Sequence, residues 1–417
     1  MPIHAALRHR LYPALPAIAA QFGTPFHLYD EAGIRHTGKR LLRAFADIPG
    51  FREYYAIKAL PNPHILAILR DLGFGFDCSS QAELMLARGI GAHGDALMFT
   101  SNNASRTDFE AALAQGGCIL NLDDIGAIGK LPHMPELLCV RYNPGPSRQG
   151  NSIIGLPAEA KFGVPHHQLE STFRQAMARG ACRFGLHTML VSNELDDRYM
   201  AQTIAMLLDI VQRLEDALQI RFEFINMGGG IGIPYHPGDR AFKLEALGEH
   251  ARHLLTAHRL ARSHAPALYM ESGRYITGPH GVLVTRVINI KHSYRRFIGV
   301  DASMSALMRP GMYGAYHHIE VPGKPRRADD PPVDVVGALC ENNDKFAIQR
   351  RLPPVDEGDL LVIQDTGAHG HAMGFNYNGQ LRPQELLLHA DGQVERIRRA
   401  ETLDDYFATL EPARPAG

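Results

Sequence analysis

The 417-residue chain has no charge excess of either sign: 43 Lys and Arg stand against 44 Asp and Glu. That balance advertises neither nucleic acid nor an anionic membrane surface as a partner. Nor does any apolar run approach the ~20 residues that a membrane-spanning helix needs. The first ten residues, Met1-Pro-Ile-His-Ala-Ala-Leu-Arg-His-Arg, carry basic side chains with no apolar stretch behind them. No secretory signal is therefore expected. Cysteine is sparse. Cys78, Cys118, Cys139, Cys182 and Cys340 are odd in number and show no Cys-x-x-Cys spacing, which predicts free thiols in a reducing cytoplasm. No metal is expected.

Hydrophobic residues make up 45% of the chain, enough to bury a large core and to build two domains. From about residue 24 to 275, short β-branched or aromatic runs alternate with longer amphipathic stretches. The runs at 54–58, 75–79, 97–100, 118–122, 137–143, 184–190, 222–228 and 268–272 read as strands. Segments such as 81–89, 106–115, 195–218 and 243–262 read as helices. Eight such units are the count that closes a parallel (β/α)8 barrel, whose active site lies at the C-terminal strand ends. After residue 276, Val282-Leu-Val-Thr-Arg-Val-Ile-Asn-Ile, Asp334-Val-Val-Gly-Ala-Leu and Asp359-Leu-Leu-Val-Ile-Gln alternate like strands without intervening helices. The predicted organisation is α/β: a barrel over 24–275 and a C-terminal β-sandwich or β-barrel domain over 276–417 joined by residues 1–23. An exposed Pro- and Arg-rich loop is expected at 322–332.

Several motifs fall at predicted strand ends. Tyr54-Tyr55-Ala56-Ile57-Lys58 delivers one lysine, which on its own would read as a solvated strand terminus. The turn Gly228-Gly229-Gly230-Ile231-Gly232 lets backbone N–H groups approach an anion, because no Cβ intervenes, although a tight turn uses the same residues. Glu271-Ser272-Gly273-Arg274, Asp77 and His187 lie at other strand ends, and Arg141 lies in the 137–143 run. Together they offer an amine nucleophile, a phosphate cradle and an acid for a ring nitrogen, the parts of a pyridoxal 5'-phosphate site.

With these motifs in chain order, the sequence resembles the fold-type III pyridoxal-phosphate decarboxylases, the alanine-racemase-like barrel group that contains the diaminopimelate, ornithine and arginine decarboxylases. It is most similar to the diaminopimelate decarboxylase branch, from about Pro25 to Tyr406. The resemblance implies that Lys58 carries the cofactor as a Schiff base, in a pocket desolvated enough to leave its amine neutral. It implies that Gly228, Gly229 and Gly230 hold the phosphate with Arg274, Gly273 and Ser192, and that Glu271 pairs with the pyridine nitrogen. Asp77, Arg141 and His187 support the cofactor side, although an internal ion pair would explain the first two equally well. Arg309 and Tyr313, in Arg309-Pro-Gly-Met-Tyr313, match a segment that binds a substrate carboxylate, work suited to the planar guanidinium fork. Cys340-Glu341 matches a segment that crosses into the partner's active site of a homodimer. There the cysteine reprotonates the substrate carbon and the glutamate faces a distal amine. Tyr377 matches a tyrosine near the phosphate or substrate.

The departures are informative. Met189 stands where the family has a histidine stacked on the cofactor ring, and Val191 replaces a glycine. Ser272 replaces the proline of Glu-Pro-Gly-Arg, which removes rigidity. Asn342-Asn343 replaces Ser-Gly, and the 149–156 and 367–371 segments differ from the family pattern. These changes tilt the expected substrate from meso-diaminopimelate, the alternative, towards a bulkier carboxylated amine such as a citryl-diamino acid in siderophore assembly. An amino-acid racemase or a non-enzymatic pyridoxal-phosphate protein on the same barrel fits less well, because neither class has both the Cys-Glu segment and a C-terminal domain of this size.

Overall fold

The computed structural model describes residues 5–411, so the ends of the expected β domain at 1–4 and 412–417 lie outside the described residues. The chain divides into two compact units, Arg35–Pro234 with Arg240–Ile276, and Met1–Ile34 with Tyr235–Asp239 and Thr277–Gly417.

In the first unit, the strands Arg52–Ala56, Gly75–Cys78, Gly94–Thr100, Cys118–Leu122, Leu137–Asn143, Arg183–His187, Phe222–Asn226 and Ala267–Met270 pair in parallel in that order. The last pairs with the first, Met270 opposite Glu53, and the barrel is closed. The predicted helices form at Gln81–Gly89, Arg106–Leu113, Asp197–Leu218 and Leu244–Arg262. Their starts are chemically marked: Ser80 accepts from the Glu83 amide, Ser105 and Asp108 form a capping box, and Asp196 accepts from the Arg198 amide. Asp197–Leu218 buries Met200, Ile204, Leu207, Val211, Leu214 and Leu218, the spacing of a single helical face.

Five strands end earlier than expected, at Ala56, Cys78, His187, Asn226 and Met270, and site-bearing loops follow them. Lys58 therefore sits in the 3₁₀ turn Ile57–Ala59 and not on a strand. Inside the barrel, Tyr54, Met98, Ile119, Cys139 and Phe224 form one buried cluster. Phe224 stacks on Tyr269 with ring centroids 4.2 Å apart. Gly185 makes room for that ring, since a Cβ there would stand 2.1 Å from Phe224 Cζ. All five cysteines are free.

The second unit is a nine-stranded mixed sheet. Gly281–His292 is its spine. It pairs antiparallel with Phe26–Asp30, Arg296–Val300 and Leu360–Ile363 along successive parts of its length. Alternation along this strand serves two faces. Val282 and Val284 join Leu7, Leu11, Leu15 and Ile18 of the helix Ala5–Phe22, whereas Leu283 joins Val287, Ile298, Val335, Phe346 and Ile363 in a second core. Phe26–Asp30, expected within the barrel region, belongs to this sheet: it is buried throughout and pairs in parallel with Gln384–Leu388. The boundary at residue 24 is corrected accordingly. Residues 322–331 form the expected loop before the strand Pro332–Val336. Among the described residues, no helix is long and apolar enough to cross a membrane.

Gly185→Ala is expected to destabilise the protein by about 1–3 kcal/mol, the usual cost of overpacking a core. Phe224→Leu in the same chain should restore part of the loss. Equilibrium denaturation of the three proteins is the check, and an unchanged midpoint for Gly185→Ala alone would show that the ring moves freely.

Candidate active site

Register places Arg141, His187 and Asn226 side by side at the C-terminal ends of neighbouring strands. Glu271 follows the next strand. Its Oε1 accepts a 2.7 Å hydrogen bond from Asn226 Nδ2, and its Oε2 lies 3.2 Å from His187 Nε2. Asn226 is locked in turn, because its Oδ1 accepts from the Gly228 amide at 2.9 Å. Burial pushes the Glu271 carboxyl up, but the His187 contact and the Lys58 and Arg141 cations outweigh it and hold the group below the usual range. Glu271 is a buried, charged carboxylate.

Asp77 behaves oppositely. Burial, followed by the repulsion of Glu271, raises its pKa to about 8, and Lys58 offsets this only in part. Lys58 Nζ is 3.8 Å from Asp77 Oδ2, and the lysine side chain is 53% exposed. Lys58 extends from a turn whose other residues, Ile57 and Ala59, are buried, and its amine meets the Asp77 carboxyl. Asp77 and Arg141 each have their own partner. Arg141 Nη1 lies 3.4 Å from Asp123 Oδ1 and donates to Asn102 Oδ1 at 3.1 Å, with its guanidinium 3.9 Å from the Phe162 ring centre.

Beside Glu271 runs the glycine turn. Cβ atoms at Gly228, Gly229 and Gly230 would stand 2.4, 2.5 and 2.7 Å from the carbonyl oxygens of Thr188, Glu271 and Val191, so this turn is glycine by necessity. The amides of Gly229 and Gly230 have no acceptor among the described residues. Close by, Arg274 Nη2 donates to Ser192 Oγ at 3.3 Å. Two unspent amides, a hydroxyl and a guanidinium make an anion cradle. Met189 flanks it, its Sδ 3.1 Å from where a Gly228 Cβ would lie. His187 Nδ1 lacks a hydrogen-bond partner among the described residues.

The second unit holds the other sequence-predicted residues. Arg309 is buried. Its Nη1 donates to Tyr235 Oη at 2.8 Å and lies 3.3 Å from His317 Nε2, whose Nδ1 is 2.8 Å from the Gln364 carbonyl oxygen. Tyr313 and Tyr377 are 63% and 56% exposed, Cys340 is exposed, and Glu341 is half-buried. The Cys340 amide donates to Asn378 Oδ1 at 2.9 Å, which ties the cysteine segment to that of Tyr377. Asp344 accepts from the Leu339 and Met304 amides and shapes the loop. His371 is a sheet-interior residue: its Nε2 is 3.0 Å from the Pro383 carbonyl oxygen and its Nδ1 3.9 Å from Glu385. The altered 367–371 segment is thus explained by packing at that position. Asn226, Asp123 and Asn102 were missed in the sequence. Only Asp123, an acid just past a predicted strand end, left a signal there.

An amine, an anion cradle and a buried charged carboxylate at the mouth of a closed parallel barrel define a site of the pyridoxal-phosphate type. Residues 32–278 match the family described as pyridoxal-dependent decarboxylase, pyridoxal binding domain. The protein TabA of Pseudomonas amygdali pv. tabaci is 47% identical over 412 residues, covering 99% of this chain and 97% of its own. The diaminopimelate decarboxylase of Methanothermobacter thermautotrophicus is 36% identical over 398 residues, covering 93% and 92%. Among solved structures, diaminopimelate decarboxylase from M. jannaschii in complex with L-lysine superposes with a TM-score of 0.86 at 28% identity, covering 95% and 94%. The chain belongs to the pyridoxal-dependent decarboxylases. It is an amino-acid decarboxylase similar to diaminopimelate decarboxylase, and its cofactor is pyridoxal 5'-phosphate.

The raised Asp77 pKa sets a pH dependence. Between the ordinary carboxyl value and about 8, the folded protein holds a proton that the unfolded chain has released. Stability must therefore fall as pH rises through that window. In cofactor-free protein, Asp77→Asn should remove this decline. Wild type and variant should be close at pH 4, and the variant more stable at pH 8.5 by on the order of a few kcal/mol. Parallel denaturation curves at the two pH values check this, and an equal pH slope for both proteins would refute it.

Proposed function

We propose that the substrate is an amino acid carrying a second carboxylate, and that it is bulkier than meso-diaminopimelate. A citryl-diamino acid conjugate is the example that the sequence suggests, and meso-diaminopimelate itself is the alternative. The carrying observation is the buried Arg309 guanidinium, oriented by Tyr235 and His317 in the manner of a carboxylate receptor. Tyr313 is assigned to the same task. The larger size rests on the departures of Met189 and of the 149–156 segment from the family pattern; Met189 and Ile154 line one recess, with Leu190, Tyr142 and Phe162.

When bound, the cofactor supplies an electron sink for the carbon that loses CO2. In this reading Lys58 provides the amine that carries it, with Asp77 beside it supporting the cofactor side. The Gly229 and Gly230 amides, Ser192 and Arg274 hold the phosphate, with Gly228 and Gly273 allowing the close backbone approach. The charged Glu271, fixed by Asn226 and His187, keeps the ring nitrogen protonated. Arg141 supplies positive charge on the cofactor side, and Tyr377 contacts phosphate or substrate. Cys340 returns a proton to the substrate carbon and Glu341 faces the distal amine, both acting across a homodimer. The exposure of Cys340 in the single chain is consistent with a segment offered to a second copy.

CO2 release from diaminopimelate, lysine, ornithine, arginine and a citryl-diamino acid should rank the conjugate first. Substrates without the second carboxylate should lose about 2–5 kcal/mol of transition-state stabilisation, because the charge-assisted contact between that carboxylate and the buried guanidinium is not made. A kcat/KM for diaminopimelate at or above ~10⁴ M⁻¹s⁻¹, the lower end of ordinary enzymes, would assign the chain to that substrate instead.

Mixing inactive Lys58→Ala chains with inactive Cys340→Ala chains should restore about a quarter of wild-type activity, since a hybrid dimer contains one intact composite site. No recovery in verified hybrids would exclude action across the dimer.

A further inference from the structure

At the opposite end of the barrel, three side chains that the decarboxylase site does not use converge. Glu215 lies near the end of the helix Asp197–Leu218, ahead of the strand Phe222–Asn226. His258 lies on the buried face of the helix Leu244–Arg262, and His264 lies just ahead of the strand Ala267–Met270. All three therefore sit at N-terminal strand ends, the side of a barrel that governs stability and not chemistry. One donor atom from each lies within 4.8 Å of the other two.

Two of these donors are buried with an atom that makes no hydrogen bond. Glu215 is 3% exposed and His258 8%, and neither Glu215 Oε2 nor His258 Nε2 has a hydrogen-bond partner among the described residues. Such atoms are costly to bury unless something binds them. His264 adds an independent sign. Its Nδ1 lies 3.1 Å from the Arg262 carbonyl oxygen, which can only accept, so Nδ1 carries the proton. Its Nε2 faces Glu215 Oε1 at 2.9 Å, an ion pair when the ring is protonated and, when Nδ1 alone carries a proton, a lone pair placed to ligate a cation beside the carboxylate. Backbone-fixed Nδ1–H with Nε2 turned inward is also how metal-binding imidazoles are oriented. Burial lowers the His258 pKa, which favours the neutral, ligating form.

We propose that Glu215, His258 and His264 form a binding site for one divalent transition-metal ion of the Zn²⁺ type, which clamps the two long helices to the bottom of the barrel. Two imidazoles and a carboxylate are a donor set for such an ion, with water completing the shell. Tetrahedral Zn²⁺ wants donors roughly 3.3 Å apart, as its bond lengths of about 2.0–2.1 Å require. Small side-chain rotations would close the present spacing. The competing charge is Arg262, whose Nη2 is 3.7 Å from Glu215 Oε2 but 2.5 Å from Asp216 Oδ1. Asp216 can retain the arginine when an ion takes Glu215. Ser263, at φ +65°, makes the left-handed turn that brings His264 back over Glu215.

The test uses cofactor-loaded enzyme, stripped of metal by chelator and titrated with ZnCl₂ by calorimetry, with thermal melting in parallel. One equivalent per chain, a higher Tm and an X-ray absorption spectrum with only nitrogen and oxygen ligands are expected. His258→Gln and His264→Gln should each weaken binding more than tenfold while leaving the decarboxylation rate of the metal-free enzyme unchanged. The Phe222 amide donates to Glu215 Oε1 at 3.1 Å, so Glu215→Gln, which keeps an acceptor there, is the second probe should a histidine variant misfold. Binding that survives in folded His258→Gln and Glu215→Gln, sulfur in the metal shell, or no binding at all would overturn the assignment.

Discussion

A negative charge held where water cannot reach it is the constraint around which the barrel mouth is built. Burying a carboxylate alone would drive it to take up a proton. Glu271 stays charged because Asn226 donates to one oxygen, His187 meets the other, and Lys58 and Arg141 add positive charge. Each supporter is fixed by the fold. Asn226 and His187 are register partners on adjacent strands, Arg141 is the next in line, and the Gly228 amide holds the Asn226 amide group in one orientation. A one-residue slip of any of these strands would turn its side chain to the helix layer and strand the charge.

Much of this was legible in the sequence, and the reasons are physical. Helices showed because an amphipathic face repeats over many residues and their starts carry capping groups, as at Ser105 with Asp108. The eight strands showed as short apolar runs between them. Their ends did not, because Ile57 and Met227-Gly228 remain apolar or small after the backbone has left the sheet. Phe26–Asp30 was misassigned for a related reason. A strand buried on both faces looks the same in a parallel barrel and in a mixed sheet, and only long-range pairing with Gly281–His292 separates the two. Lys58 and the glycine turn could be found because their chemistry restricts residue type. Asn226 could not, since a buried asparagine is marked only by the groups it bonds.

The same distinction sorts the departures from the family. Met189 and the 149–156 segment lie where a changed side chain alters a recess at the barrel mouth. His371 changes a position whose environment is the interior of the sheet unit, with Glu385 and the Pro383 carbonyl as neighbours. Both were equally visible as differences along the chain, and only their surroundings separate a pocket change from a packing change.

Ser272 shows how far such reading can mislead. In sequence its replacement of proline registers as a loss of rigidity. In the structure its backbone N–H, which proline lacks, donates to Glu53 Oε1 from the neighbouring strand. Glu53 is fully buried, and burial, with the charge of Glu271 adding to it, lifts its pKa well above the usual range. Burial thus favours the protonated form of Glu53 and of Asp77, whereas Glu271 is held towards the charged form. The serine amide gives the buried Glu53 carboxyl a partner, and that contact depends on a backbone hydrogen that the residue's side-chain identity does not advertise.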